Sequence, residues 1–181
     1  MTEQKARPVA IEDLAVKANR LYESTSPASM MRACMSDGAS AVALFRVSEF
    51  LCSKRLVPIG VLISKLNKVI NGIVIGRGAS IGPGFVIQHP VGVVINSRAK
   101  LGRNCLLQGG VVIGANATRK SPVLGDNVDA GAGAKIIGDV NIGDEVQIGA
   151  NAVVVSDLPA GVTAVGVPAK PLIKAKGSLG A

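Results

Sequence analysis

Residues 131–154 read GAGAKIIGDVNIGDEVQIGANAVV. Large aliphatic side chains recur in this stretch at every sixth position: Ile136, Ile142, Ile148 and Val154. A small or apolar residue comes four positions after each, and Gly follows Ile142 and Ile148, as it follows the aliphatic in most repeats of the chain. A strand-length segment with a tight turn, repeated at this period, buries its aliphatic side chain only if equivalent residues stack. The stretch therefore predicts a β-solenoid.

The same period extends over residues 73–173 and slips twice. It lengthens by two residues between Ile87 and Ile95, and by five between Ile113 and Leu124. Insertions in a solenoid emerge as loops, often on the binding face. The second insertion, GANATRKSPV at residues 114–123, is therefore a candidate active-site loop, with a functionless bulge as the alternative.

The repeat resembles that of the hexapeptide-repeat acyltransferases, in which three hexapeptides form each turn of a triangular left-handed coil. The resemblance implies an all-β fold with a small α part, in which a left-handed parallel β-helix occupies residues 72–173. Residues 1–71 are expected to form a polar segment, loosely ordered to about residue 26, and then two short helices separated at Pro58 and Gly60. Residues 174–181 are expected to form a basic tail.

Composition restricts the partners of the chain. Its formal charge of +8 favours an anionic partner, such as a phosphate-bearing cofactor, a nucleic acid or a lipid surface. Aromatic residues make up only 2% of the chain and no nucleic-acid-binding motif is present, so we expect no nucleic-acid partner. Three cysteines at unrelated spacings and the absence of a signal-peptide pattern predict a cytoplasmic protein.

His89 is the only histidine of the chain. It lies in QHPVGVV, residues 88–94, which is similar to the DHATGIV-type segment of serine O-acetyltransferases. In that family the histidine is the general base, so the resemblance implies this role for His89. A lone histidine is more often structural or simply exposed. Zinc enzymes of the hexapeptide class need three histidines, so no metal is expected.

The resemblance also implies acetyl-CoA as the co-substrate. Residues 131–154 resemble the family, and the AVGVPAKPL segment at residues 164–172 resembles the family's C-terminal GVPAK/R signature near the cofactor. Carrying the positions over by hexapeptide phase predicts that the pantetheine arm and the CoA phosphates contact Gly114, Ala115, Ala132, Ala150 and Lys170. Small residues are also what tight coil turns require, and Lys170, Lys174 and Lys176 could equally be a solvated basic tail.

The identity of the acceptor is less determined. Gln88 and Ser121 replace an Asp and a second His of the family and are expected to contact the acceptor, and Val74 replaces a further acid. An ammonium group needs an anion, so the sequence favours a sugar hydroxyl over L-serine. The stretches at residues 43–56 and 75–102 likewise resemble capsular and exopolysaccharide acetyltransferases, including the colanic acid type. L-serine is the alternative acceptor, and a non-catalytic β-helix scaffold is the second alternative.

Exposed aliphatic ladders on the flat faces of the coil predict a homotrimer, as in related acyltransferases. The basic apolar helices between Ala39 and Ile70 leave open a peripheral association with the inner face of the membrane, although packing within the trimer is the commoner explanation.

Overall fold

The computed structural model describes residues 8–172 and contains four helices followed by a parallel β-solenoid of about five turns. The helices are α1 (Val9–Tyr22), α2 (Pro27–Met35), α3 (Ala39–Ser53) and α4 (Val57–Asn71). The solenoid confirms the fold predicted from the period of six.

The strands of the solenoid form three sheets. The first sheet contains β1 (Val74–Ile75), β4 (Val94–Ile95), β7 (Val112–Gly114), β10 (Lys135–Ile137) and β13 (Val153–Val154). The second contains β2 (Ser80–Ile81), β5 (Lys100–Leu101), β8 (Val123–Leu124) and β11 (Asn141–Ile142). The third contains β3 (Val86–Ile87), β6 (Leu106–Leu107), β9 (Asp129–Ala130), β12 (Gln147–Ile148), β14 (Thr163–Val165) and β15 (Lys170–Pro171). All neighbours pair in parallel except β14 and β15.

The interior of the solenoid is the stack of aliphatics that the period of six predicts. Ile75, Ile95, Ile113, Ile136 and Val154 lie one above the other in the first sheet and are buried. Phe85, in the first turn of the solenoid, is buried in the same core, and its ring meets that of Phe45 of α3 edge to face, with the ring centroids 6.5 Å apart. The core therefore continues from the coil into the helices.

The helical part differs from the sequence prediction. Residues 9–22 form a helix where loose order was expected, because Asp13 and Lys17 of α1 are buried against the coil. The Asp13 carboxylate accepts from the Phe85 N–H at 2.9 Å and from Arg46 Nε at 2.8 Å. These contacts join residues that are far apart in the chain, so local polarity did not reveal them.

The break between α3 and α4 also lies elsewhere than predicted. The two helices are separated by Lys54–Leu56, whereas Pro58 lies in the first turn of α4, where its missing N–H costs no hydrogen bond. Gly60 lies inside α4 and does not end a helix. A glycine suits this position because a Cβ on it would lie 2.5 Å from Cys52 Sγ of α3. None of the helices in residues 8–172 is long and apolar enough to cross a bilayer.

Candidate functional site

His89 lies at the corner between the third and first sheets, which we call the His89 corner. It follows β3 directly, at the first slip of the repeat, and its backbone has a φ of +56°. The two extra residues make this corner longer than a regular one, so the side chain stands away from the coil and is 78% exposed. A histidine in this position is available to a substrate, which a buried structural histidine would not be.

The partner of His89 is a carboxylate from the helical part of the molecule. His89 Nδ1 lies 2.9 Å from Asp37 Oδ2, and Asp37 is in the turn between α2 and α3. The two residues are 52 positions apart, and the sequence analysis did not identify Asp37. No repeat or motif marks it, so only the packing of the helices on the coil reveals the pair.

The turn that carries Asp37 packs tightly against the coil. Gly38 has a φ of +80°, and a Cβ at this position would lie 2.2 Å from the Ile87 carbonyl oxygen. Only glycine permits both this backbone conformation and this approach. The turn is thereby held beside β3, the strand that leads into His89.

Lys17 of α1 contacts both the turn that carries Asp37 and strand β3. Its Nζ donates to the carbonyl oxygen of Asp37 and lies 3.4 Å from that of Ile87. Burial lowers the pKa of Lys17 from its usual 10.5 to about 8, although the nearby Asp37 carboxylate and Cys34 act in the opposite direction. The lysine therefore bridges α1, the Asp37 turn and the coil at one point.

A cleft of about 280 Å³ opens beside this pair. Its lining comprises Lys17, Leu21, Tyr22, Ser36, Asp37, Gln88 and His89. Gln88, which the sequence analysis expects to contact the acceptor, is among these lining residues. The cleft combines hydroxyl, amide and carboxylate groups with one apolar wall, which suits a small polar acceptor.

A column of small residues continues from His89 along the same corner. Gly109, Ala132 and Ala150 occupy it in the next three turns: Gly133 N–H donates to the Gly109 carbonyl and Asn151 N–H to that of Ala132, both at 2.8 Å. A Cβ on Gly109 would lie 2.7 Å from the His89 carbonyl oxygen. These three positions therefore present only backbone and methyl groups, which leaves room for an extended chain beside them.

Comparison with known proteins decides the family. No protein-family model matches the chain. A serine acetyltransferase of Helicobacter pylori is 42% identical over 140 residues, which cover 76% of this chain and 82% of that protein. The chain belongs to the serine acetyltransferase family. A serine acetyltransferase of Synechococcus elongatus is 38% identical over 136 residues, but the match spans only 56% of its length.

Solved structures of serine acetyltransferases agree with this membership. The Neisseria gonorrhoeae enzyme in complex with serine has a TM-score of 0.78 and 30% identity, covering 91% of this chain and 68% of that one. The Brucella abortus enzyme has a TM-score of 0.81 and 26% identity, covering 91% and 67%. The family resemblance seen in the sequence, that of acyltransferases with a hexapeptide β-helix, is confirmed.

Several positions predicted from the serine acetyltransferase resemblance lie apart from His89. Gly114 and Ala115 are at the corner between the first and second sheets, which also carries the loop at residues 114–123. Ser121 belongs to that loop, and its Oγ lies 2.9 Å from Asn96 Oδ1. Within one chain the structure therefore does not bring Gly114, Ala115 or Ser121 to the cleft, because they occupy a different edge of the prism.

Lys170 lies in β15, beside Val165 of β14. It is at the far end of the solenoid from His89, on the sheet next to the column of small residues. Lys174 and Lys176 are outside the described residues. Among residues 8–172, no group of three or more His, Cys, Asp or Glu side chains is arranged to hold a metal ion.

Proposed function

We propose that this protein transfers the acetyl group of acetyl-CoA to the hydroxyl of L-serine. The relatives named above are serine acetyltransferases, and one of the similar structures contains serine. These findings support the alternative acceptor of the sequence analysis, and they do not support the sugar that the sequence favoured.

The observation that carries the proposal is the His89–Asp37 pair at the mouth of the cleft. With Asp37 accepting from Nδ1–H, the lone pair of the neutral imidazole is on Nε2 and can take a proton. As the serine oxygen attacks the thioester carbon, its proton passes to Nε2. When the C–S bond breaks, the imidazolium returns that proton to the thiolate of CoA, and an acetyl ester remains on the acceptor.

Asp37 also weakens the argument against serine. That argument rested on the absence of acids at Gln88 and Val74, yet a carboxylate from another element lies in the cleft. Asp37 is more than half exposed, and within residues 8–172 its Oδ1 accepts no hydrogen bond, so this oxygen can accept from an ammonium group. The anion that an amino-acid acceptor needs is thereby supplied by the helices instead of the coil.

The column of Gly109, Ala132 and Ala150 suits the pantetheine arm of acetyl-CoA. Its residues have no side chain beyond a methyl group, so an extended arm can approach the backbone amides closely. At the end of the column Lys170 would meet the CoA phosphates. The oxyanion of the tetrahedral intermediate would be stabilised by backbone N–H groups in this groove.

A trimer would complete this site. Gly114, Ala115 and Ser121 lie at one edge of the first sheet and His89 at the other, so a neighbouring copy packed against that sheet could bring them together. The outward residues of the sheet are largely apolar: Val74, Val94, Val112 and Val153.

The three cysteines are free, which is compatible with the proposed cytoplasmic location.

The proposal is tested by an acceptor screen with acetyl-CoA, in which release of the CoA thiol is followed with L-serine and with free and nucleotide-linked sugars. We expect turnover with L-serine. His89→Ala should lower kcat by about a hundred- to ten-thousandfold, the usual loss for a general base. Turnover with a sugar alone would restore the earlier prediction, and no turnover with any acceptor would favour a scaffold.

A further inference from the structure

Helix α4 is oriented with its polar side inward. Its buried residues are Gly60, Asn67 and Asn71. Asn67 donates to the Ala41 carbonyl at 2.9 Å, and Asn71 donates to Asn67 at 2.9 Å. By contrast Leu62 is 64% exposed, and Ile59, Leu66 and Ile70 are also exposed. The apolar stripe of this helix therefore faces away from the core.

Helix α3 extends the apolar surface. It packs antiparallel on α4, with Ser48 donating to the Gly60 carbonyl at 2.8 Å, and its Val47 and Phe50 are exposed. The side of α3 that carries Val42 and Phe45 packs on the coil, and Val47 and Phe50 are on the other side. We call Val47, Phe50, Ile59, Leu62, Leu66 and Ile70 the hairpin face.

The charged residues around the hairpin face are basic. Lys54 and Arg55 lie in the turn between the helices, with Lys54 Nζ 5.7 Å from the centroid of the Phe50 ring. Lys65 and Lys68 are exposed on one side of the stripe of α4. No acidic residue occurs between Phe50 and Gly125. The nearest acid in the chain, Glu49, accepts from Arg46 at 3.0 Å.

The charge is also divided along the molecule. Residues 50–125 contain ten basic and no acidic residues, whereas residues 126–172 contain six acidic and two basic ones. Residues 8–49, which form the helices beside the first turn of the solenoid, add five acidic and four basic residues. The hairpin face is thus still at the cationic end of the solenoid, and the acidic turns are at the other end. An anionic surface would attract the first end and repel the second, which orients the molecule.

We propose that the hairpin face docks on an anionic lipid bilayer. A helix with an exposed apolar stripe and flanking lysines is the form in which interfacial helices bind at the boundary of headgroups and acyl chains. A twofold contact with a second copy would cover the same stripe but would bring two basic rims together without acids to neutralise them. The bilayer matches both the apolar face and its rim.

The proposal does not depend on acetyl transfer, and it is tested by binding alone. The full-length protein is sedimented with phosphatidylcholine vesicles, with and without phosphatidylglycerol, at low and at physiological salt. We expect binding to the anionic vesicles that weakens as salt rises. Leu62→Glu and the double variant Lys65→Glu/Lys68→Glu should each lower the partition coefficient by on the order of tenfold or more.

Val155→Glu is the matched control, because Val155 is a similarly exposed valine in the last turn of the solenoid. It should bind as the unchanged protein does, and circular dichroism should confirm that all variants are folded. Equal binding by the hairpin variants, or no preference for phosphatidylglycerol, would overturn the proposal. A change of oligomeric state in Leu62→Glu, seen by sedimentation velocity without vesicles, would instead identify the face as a contact between copies.

Discussion

At the level of single residues, the chemistry proposed for this site depends on one contact between distant parts of the chain. His89 is presented by the coil, and its Nδ1 partner Asp37 is presented by the helices. A carboxylate in this position fixes the tautomer of the imidazole and stabilises the imidazolium that forms during transfer. Gln88 and Val74 stand where the family has acidic residues, so Asp37 is the one carboxylate among the residues that line the cleft.

Replacing Asp37 should therefore lower turnover without affecting the binding of acetyl-CoA. A hydrogen bond to a charged group contributes about 1.5–3 kcal/mol, which corresponds to a loss of about ten- to a hundredfold in kcat. We expect this loss in Asp37→Ala and most of it in Asp37→Asn, which keeps an acceptor oxygen but removes the charge. The KM for acetyl-CoA should remain unchanged. Glu145→Gln, which changes an exposed carboxylate at the corner between the second and third sheets, is the control, and full activity of Asp37→Ala would refute the role of the pair.

Lys17 should make the stability of the protein depend on pH. Its pKa is about 8 in the folded chain and near 10.5 in the unfolded chain. Between these values the unfolded chain binds the extra proton, so the free energy of unfolding should rise with pH. Urea denaturation at pH 8 and at pH 10.5, the two ends of this window, should show this rise relative to Lys17→Met. Lys65→Met, in which an exposed lysine is replaced, should behave as the unchanged protein.

At the level of elements, the turn between α2 and α3 positions Asp37 only if it can approach β3. Gly38 and Gly161 both have positive φ, +80° and +73°, but a Cβ at Gly38 would strike the Ile87 carbonyl and one at Gly161 would meet nothing within 4 Å. Gly161→Ala should thus cost about 1–2 kcal/mol of stability from backbone strain alone and retain activity.

Gly38→Ala should carry the same strain and in addition displace the turn. We expect a larger loss of stability in urea denaturation and a fall in kcat similar to that of Asp37→Ala. If both alanine variants keep full activity, the close packing of this turn is not needed to hold Asp37 beside His89.

At the level of the whole molecule, the first and second sheets differ in their outward residues. The outward position of β4 in the first sheet is the apolar Val94, whereas that of β2 in the second sheet is the polar Ser80, and both are exposed. If the first sheet forms the trimer contact, Val94→Glu should dissociate the trimer in analytical ultracentrifugation and reduce turnover, because the site would lose the neighbour's loop. Ser80→Glu should do neither, and a monomeric unchanged protein would exclude the trimer altogether.

The solenoid could be predicted from the sequence because its information is local and repeated. Each hexapeptide places one aliphatic inward, and many repeats in phase leave one way to bury them. The slip after Ile87 likewise marked the corner that carries His89, and the similarity of QHPVGVV to a family segment indicated its role. The register of strands and the position of the histidine were thus accessible without the tertiary structure.

The helical part and the partner of His89 were not accessible in this way. Asp13, Lys17 and Asp37 lie in stretches that are polar and carry no repeat, so their local pattern favoured loose order. Their positions follow from contacts with Phe85, Ile87 and His89, which are at least 50 residues away. A single ion pair or hydrogen bond between distant residues produces no repeating pattern in the sequence. Only the packing of α1 and of the α2–α3 turn on the coil determines where these groups meet.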